Sequence, residues 1–284
     1  MEIRAGTAVR THSAVKRAAA NPWLELLERV GYVARGVLYV VMGALALGLA
    51  MGIGGKATDQ SGSLTTLAGG AFGKLLLLVF VAGLAAYSLW GFVRAIFDPL
   101  NRGDDPAGIA ERLGFAWSGI AYAGLSLFAL ELFVGTGRAT SQDSTQSSVS
   151  RFFAYPAGEW AVVAIGLVSI AVGIGQFVLA GKATFKRDLK REEMSPAEKK
   201  FVDAMGRFGF FARGVTFTLV GWFVLQAGLH RDPTQVRGFS GAFVFLLTQP
   251  YGHFVLGVVA LGFIALGVHS FTCARWMRLL GSRG

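Results

Sequence analysis

Six long apolar tracts limit what this chain can become more than any other feature of its sequence. Each tract carries at most one charged residue, and they cover roughly residues 30–53, 75–97, 113–135, 160–181, 208–229 and 253–274. A helix needs about 20 apolar residues to cross a hydrocarbon core of about 30 Å. The tracts also lack the polar face that a helix on the surface of a soluble bundle needs. The sequence therefore predicts six transmembrane helices.

A motif at the start of every second tract shows that the chain is a threefold repeat. Its order is Arg, any residue, Gly, aromatic, three residues, Gly, two residues, aromatic. The three copies are Arg29-Gly31-Tyr32-Gly36-Tyr39, Arg112-Gly114-Phe115-Gly119-Tyr122 and Arg207-Gly209-Phe210-Gly214-Phe217. A glycine follows each motif arginine at a nearly constant distance, as Gly73, Gly158 and Gly252. Matched positions at a matched spacing indicate tandem repeats.

The repeats predict an all-α membrane protein of three tandem helical hairpins in a pseudo-threefold arrangement. We expect a basic cytoplasmic segment over 1–22, followed by two-helix repeats over 23–100, 101–190 and 191–280. Because each repeat has an even number of helices, all three enter the membrane in the same orientation. This is unlike the inverted repeats of many transporters.

Basic residues predict the orientation of the protein in the membrane. Of the 27 lysines and arginines, 21 belong to the termini, the 98–112 and 182–207 loops and their flanking helix ends, and 6 belong to the opposite side. The positive-inside rule places both termini in the cytoplasm. The net charge of +10 is therefore a topology signal and an attraction to anionic lipid, and we expect no nucleic-acid partner.

The repeated pattern resembles the bacterial membrane family known as domain of unknown function 1206. The resemblance covers about residues 23–280 and includes a Gly-x-Leu-x2-Leu-Ala element, present here from Gly62 to Ala68. A Pro-x-Gly corner survives at Pro156 and Pro250, whereas Ala71 replaces proline in the first copy. The resemblance implies a location in the bacterial plasma membrane. It assigns no catalytic or binding residue.

Small residues recur seven positions apart on the first helix of each repeat. The pairs are Gly36 with Gly43, Gly119 with Ser126, and Gly214 with Gly221. At 100° per residue, each pair lies on one helix face. Such residues let membrane helices approach closely, so we interpret them as helix-packing positions. A groove that passes a substrate is the alternative.

Four arginines near the predicted inner boundary are candidates for lipid contact: Arg29, Arg35, Arg207 and Arg213. Arginines at this depth can extend to the bilayer surface. Binding of phosphate or of an anionic lipid headgroup is the sharper hypothesis. Four-residue spacing also predicts an ion pair between Asp203 and Arg207.

Glu131 is the one acidic residue within the apolar tracts. It follows its motif arginine by 19 residues, and the same count reaches Gln226 in the third repeat. Exposure of Glu131 to the outer headgroups is one interpretation. The alternative is a polar spot formed by Glu131 and Gln226 near the pseudo-threefold axis, able to hold a proton, a cation or a donor from a partner.

Local signals predict the connecting segments. Ser195-Pro196-Ala197-Glu198 is a capping box with proline in the first turn, which predicts a helix from about residue 196. The stretches 62–67 and 241–246 suit short interfacial helices. The polar SQDSTQSSVS segment of repeat two predicts a loop with a short turn after it.

We find no pattern for catalysis, for a cofactor or for a metal. The single cysteine, Cys273, excludes an intramolecular disulfide. We expect a protein that is not an enzyme, has a structural role in the cell envelope, and binds membrane lipid or another membrane protein. A small-solute channel or transporter is the alternative function.

The predicted orientation can be tested by cysteine labelling. An introduced Ser141→Cys should react with a membrane-impermeant reagent in intact cells, because residues 136–156 are predicted to face outward. Cysteines introduced near Lys190 should be protected. The reverse pattern would contradict the assignment.

Overall fold

A computed structural model describes residues 22–70, 72–98, 103–136, 146 and 149–277. The predicted N-terminal segment and Ser141 lie outside these residues. The main helices, numbered here in chain order, are α1 Pro22–Ala50, α2 Gln60–Ala68, α3 Gly73–Phe97, α4 Pro106–Val134, α5 Gly158–Lys182, α6 Pro196–His230, α7 Phe239–Leu247 and α8 Gly252–Trp276. Residues 149–153 are also helical, and short 3-10 turns cover Thr184–Asp188, Arg191–Glu193 and Pro233–Gln235.

Six of these helices are long and apolar enough to cross a membrane: α1, α3, α4, α5, α6 and α8. The described part of the chain contains no strand. The predicted all-α fold with six membrane helices in three two-helix units is therefore confirmed. We call the end where α1 begins and α8 ends the terminal end, and the opposite end, which carries α2 and α7, the connector end.

Helices begin at the residues where the sequence predicts a helix start. Ser195 forms a full capping box with Glu198 at the start of α6, as predicted. At the connector end, the repeat-marking Gly158 and Gly252 follow residues with positive φ, Ala157 and Tyr251. A Cβ at either glycine would collide with a preceding carbonyl oxygen, as it would at Gly73. These sharp corners explain why glycine marks all three repeats.

The two connector helices are buried more deeply than interfacial helices would be. α2 packs against α1, α3 and α4, and α7 packs against α6 and α8. Leu64 of α2 and Phe243 of α7 are fully buried. The helices thus exist over nearly the predicted residues, and they fill the connector end of the bundle rather than lying flat on it. In repeat two, helix at residues 149–153 stands where the sequence predicts only a short turn.

The six long helices pack side by side in the order α5, α6, α8, α1, α3, α4. In the three most extensive contacts, the second helix of one repeat packs against the first helix of the next: α3 with α4, α5 with α6, and α8 with α1. The last of these joins repeat three to repeat one. The contacts therefore run in a cycle, which is the observed form of the pseudo-threefold arrangement.

We call these three contacts between repeats the seams. Each seam uses the same small-residue positions. A Cβ added at Gly36, Gly119 or Gly214 would lie 3.0–3.2 Å from the carbonyl oxygen of Gly267, Ser88 or Gly173, respectively. At the second position, added Cβ atoms at Gly43 and Gly221 would lie 2.7 Å and 2.8 Å from the carbonyl oxygens of Ala260 and Gly166. Ser126 instead donates a 2.9 Å hydrogen bond to the equivalent carbonyl of Val81.

Within the repeats, the contacts are not equal. In repeat one, α1 packs against α3, and in repeat three, α6 packs against α8. In repeat two, α4 and α5 make almost no contact along the described chain. The ring of helices is therefore open between α4 and α5, and we call this gap the open side.

Side-chain size explains the opening. In repeats one and three, Gly83 meets the Cβ of Ala34, and Gly262 meets that of Ala212. Both alanines are buried, 4% and 1% exposed. The equivalent residues of repeat two are Trp117 and Val168, 51% and 52% exposed. A tryptophan and a valine cannot enter a contact built for alanine and glycine, because that contact has no free volume.

Leucine at Gly36 or Gly214 should destabilise the fold, because each seam brings backbones into direct contact. We expect the free energy of unfolding to fall by about 1–3 kcal/mol for each variant, measured as thermal unfolding in detergent. Gly175→Leu is the matched control, since a Cβ at Gly175 meets nothing within 4 Å. Equal stability of Gly36→Leu, Gly214→Leu and Gly175→Leu would refute the seam assignment.

Trp117→Ala combined with Val168→Gly should close the ring, since this pair recreates the contact of the other repeats. Spin labels at the exposed positions 127 of α4 and 165 of α5 should report a shorter distance in the double variant. Trp222→Ala removes an equally exposed tryptophan on α6 and should leave the distance unchanged. No shortening in the double variant would mean that something else holds the helices apart.

Candidate functional site

The first helices of the three repeats bring their motif aromatics together at the centre of the ring. The hydroxyls of Tyr39 and Tyr122 lie 3.3 Å apart. The Arg213 guanidinium carbon lies 6.0 Å from the centroid of the Tyr39 ring and 5.2 Å from that of Phe217. Residues from α1, α4 and α6 therefore meet around one axis, although they are far apart in the sequence.

Arg35 is buried in this centre, with 8% of its surface exposed. It donates a hydrogen bond to the Tyr87 hydroxyl, and its guanidinium carbon lies 5.4–5.9 Å from the rings of Tyr32, Tyr39 and Tyr87. The expected extension of Arg35 to the bilayer surface is therefore wrong. The side chain points into the ring because four tyrosines surround it there, with Tyr122 the fourth.

Arg94 is a third arginine at the centre, and no sequence motif marks it. It is 6% exposed, and its Nη2 donates a 3.1 Å hydrogen bond to the Tyr32 hydroxyl. Its guanidinium also lies over Trp90 and Phe115, 5.0 Å and 5.4 Å from the ring centroids. In the sequence it counts only as one basic residue near a helix end, so its burial could not be foreseen from charge counting.

The described ion pairs lie away from these arginines. They join Arg112 with Asp104, Lys186 and Arg191 with Asp203, Arg187 with Glu111, Lys190 with Glu193, and Arg231 with Glu159. Among the residues that the structure describes, no carboxylate forms an ion pair with Arg35 or Arg213. The centre of the ring is therefore cationic and aromatic.

His269 lies beside the centre, on α8. It is 2% exposed and makes edge-to-face contacts with Phe185 and Phe210. Its Nε2 lies 3.6 Å from the Cys273 sulfur, one helical turn away. His, Cys, Asp and Glu side chains form no metal-binding group within the described residues, and we interpret His269 as a packed core residue.

The motif arginines fasten each repeat to the helix before it in the ring. Arg29, Arg112 and Arg207 donate to carbonyls at the ends of α8, α3 and α5: Ala274, Ala95 and Gly181, at 2.9–3.0 Å. These carbonyls lack intrahelical partners and carry the negative end of the helix dipole. The motif arginine is thus a helix C-cap supplied by the next repeat, a role that spacing alone did not reveal.

The predicted ion pair between Asp203 and Arg207 is wrong. Asp203 binds Arg191 at 2.6 Å and Lys186 at 2.7 Å, both from the loop before α6, while Arg207 turns to Gly181.

Arg207 also borders an apolar groove of about 630 Å³ at the terminal end, lined by Phe177, Ala180, Gly181, Phe208 and Phe211. A headgroup contact of Arg29 or Arg207 stays a prediction.

Glu131 and Gln226 do not touch. Glu131 is exposed on α4, and Gln226 is half-buried on α6, a helix that is not packed against α4. No hydrogen bond or ion pair of a described residue reaches the Glu131 carboxylate. The water-mediated polar spot therefore stays a prediction. Glu131 instead continues the exposed face that carries Trp117 and Leu127 along the open side.

The open side also exposes small residues. An added Cβ at Gly114 or Gly124 on α4, or at Gly175 on α5, would meet nothing within 4 Å. The motif equivalents of Gly114 are Gly31 and Gly209, where an added Cβ would lie only 2.9 Å from Tyr87 and 2.7 Å from Leu266, respectively. The same motif glycine is therefore a packing site in two repeats and a bare surface in the third.

Comparison with known proteins agrees with this architecture. The family described as Domain of Unknown Function (DUF1206) matches residues 30–98, 113–183 and 208–277. The uncharacterized protein YxxB of Bacillus subtilis (strain 168) is 32% identical over 250 residues, which cover 88% of this chain and 90% of that protein. No solved structure matches the chain. Three matches in tandem, one for each two-helix unit of the ring, show that the chain belongs to the DUF1206 family of multi-pass membrane proteins.

Proposed function

We propose that this protein is a non-catalytic membrane protein that binds a transmembrane helix of a partner protein at its open side. One observation carries the proposal. The positions that pack a helix in repeats one and three are exposed in repeat two, where Trp117 and Val168 keep α4 and α5 apart. Leu38 and Thr216 are fully buried, whereas their equivalent Ala121 is exposed.

A helix suits this surface better than lipid chains alone. Membrane helices associate through small residues that allow close backbone approach, and α4 presents Gly114, Ala121 and Gly124 beside bulky Leu113 and Ile120. The seams inside the ring are built in the same way. A partner helix would therefore extend an interface type that the protein already uses three times.

Glu131 narrows the chemistry of the partner. Its carboxylate lies near the connector end of α4 on the same exposed face, and a charge within the hydrocarbon is costly unless it is paired. We infer that the partner helix has small residues along its length and a basic or hydrogen-bond-donating residue at the level of Glu131. Membrane lipid is the second proposed partner, supported by the apolar groove beside Arg207.

We further propose the bacterial plasma membrane as the location, with both termini in the cytoplasm. The support is the concentration of lysine and arginine at the terminal end of the ring. The alternative function, a small-solute channel, has less support. Tyr39 and Tyr122 meet across the axis, and the buried side chains of Leu64 and Phe243 fill the connector end.

Photo-crosslinking in intact cells tests the partner proposal. A benzophenone amino acid at position 121, on the open side, should form an adduct with a transmembrane segment of a second membrane protein. The same group at position 44, an exposed residue of α1, is the matched control and should not. The Trp117→Ala, Val168→Gly variant should lose the adduct, because closing the ring removes the site.

Three outcomes would contradict the proposal. Adducts with lipid alone would assign the open side to the bilayer. An adduct of twice the mass of this chain would assign it to self-association. Equal adducts from positions 121 and 44 would show that the contact is unspecific.

A further inference from the structure

Two arginines at the ring centre, the buried Arg35 and the half-buried Arg213, carry an inference that is independent of the partner-binding proposal. Arg35 and Arg213 both lie against the Tyr39 ring, 5.6 Å and 6.0 Å from its centroid. Two guanidinium groups beside one side chain repel each other, and arginine keeps its charge under all physiological conditions. No carboxylate of a described residue pairs with either of them.

The two guanidinium groups also lack acceptors, among the described residues, for most of their N–H donors. A guanidinium has five N–H donors. Arg35 places one on Tyr87, and its buried Nε has no partner. Arg213 makes no hydrogen bond to a described residue, and its Nε is also buried and unpartnered. Buried donors without acceptors are rare and costly.

Aromatic contacts do not remove this imbalance. Tyrosine faces attract a guanidinium through the ring quadrupole, which explains why Tyr32, Tyr39 and Tyr87 surround Arg35. However, they neither neutralise the charge nor accept the in-plane N–H groups. Something with negative charge and several acceptor oxygens would satisfy both demands at once.

The geometry of guanidinium groups selects the class of ligand. Their forked N–H pairs match oxyanions, and such charge-assisted hydrogen bonds are about twice as strong as neutral ones. We propose that the centre of the ring binds a phosphate-type oxyanion through Arg35 and Arg213, with the hydroxyls of Tyr39 and Tyr122 beside it. The oxyanion is either free phosphate or the phosphate of an anionic lipid headgroup.

Two binding measurements on the full-length, delipidated protein in a neutral detergent test the proposal. In the first, sodium phosphate is compared with sodium chloride at equal ionic strength, and phosphate alone should raise the thermal unfolding midpoint. In the second, native mass spectrometry compares phosphatidylglycerol with phosphatidylcholine, and the anionic lipid should bind selectively. A response to phosphate identifies a free oxyanion, and a response to phosphatidylglycerol alone identifies a headgroup.

Substitutions locate the site. Arg35→Gln and Arg213→Gln should weaken the binding of the responding probe about tenfold or more, as expected for the loss of a hydrogen bond to a charged group. Arg213→Lys, which keeps the charge without the fork, should bind with intermediate strength. Arg237→Gln is the matched control. Arg237 is exposed and lies 5.3 Å from the Phe223 ring centroid, so its loss removes a similar contact far from the centre.

Either of two results would overturn the proposal. One is a wild-type protein that responds to neither phosphate nor phosphatidylglycerol beyond its response to chloride and phosphatidylcholine. The other is unchanged binding in Arg213→Gln. If Arg35→Gln fails to fold, the half-buried Arg213 variants and the wild-type measurements still decide the question.

Discussion

Direct contact between backbones holds this ring together. In a bilayer, lipid tails are as apolar as leucine, so burial of apolar surface gives helices little reason to associate. Close packing and interhelical polar contacts must do so instead. Glycine at positions 36 and 214 and its equivalents lets carbonyl oxygens of the neighbouring helix approach to van der Waals distance, and Arg29, Arg112 and Arg207 add hydrogen bonds to helix ends. The other features of the fold depend on these seams.

The same packing rule accounts for the asymmetry of the ring. Contacts between repeats use equivalent residues in all three cases, so they are nearly equal. Contacts within repeats need a small residue on each helix, and Trp117 with Val168 breaks that requirement in repeat two. The three seams between repeats are therefore all present, and the contact between α4 and α5 within repeat two is almost absent along the described chain. That loss leaves an apolar surface, bordered by Glu131, open to the membrane.

The fold could be predicted from the sequence because it depends on features that recur at regular spacing along the chain. Tract length, the motif and the small-residue spacing predicted six helices, three repeats and the faces that pack. The centre of the ring could not be predicted in this way, since the position of Arg35 depends on Tyr87 and that of Arg94 depends on Tyr32, pairs that only the folded ring brings together. Asp203 shows the same limit. Its four-residue spacing to Arg207 can be read from the sequence. Lys186 and Arg191 compete for the same carboxylate from a loop whose conformation cannot be predicted from the sequence.

The seam between α8 and α1 has a consequence for biosynthesis. It joins the sixth of the described membrane helices to the first, so α1 leaves the ribosome long before its main partner exists. Until α8 is inserted, the glycine face of α1 contacts lipid or an insertion factor instead of α8. Closure of the ring therefore waits until α8 has been synthesised and inserted, and a chain truncated before α8 would leave that face permanently uncovered and exposed to membrane quality control.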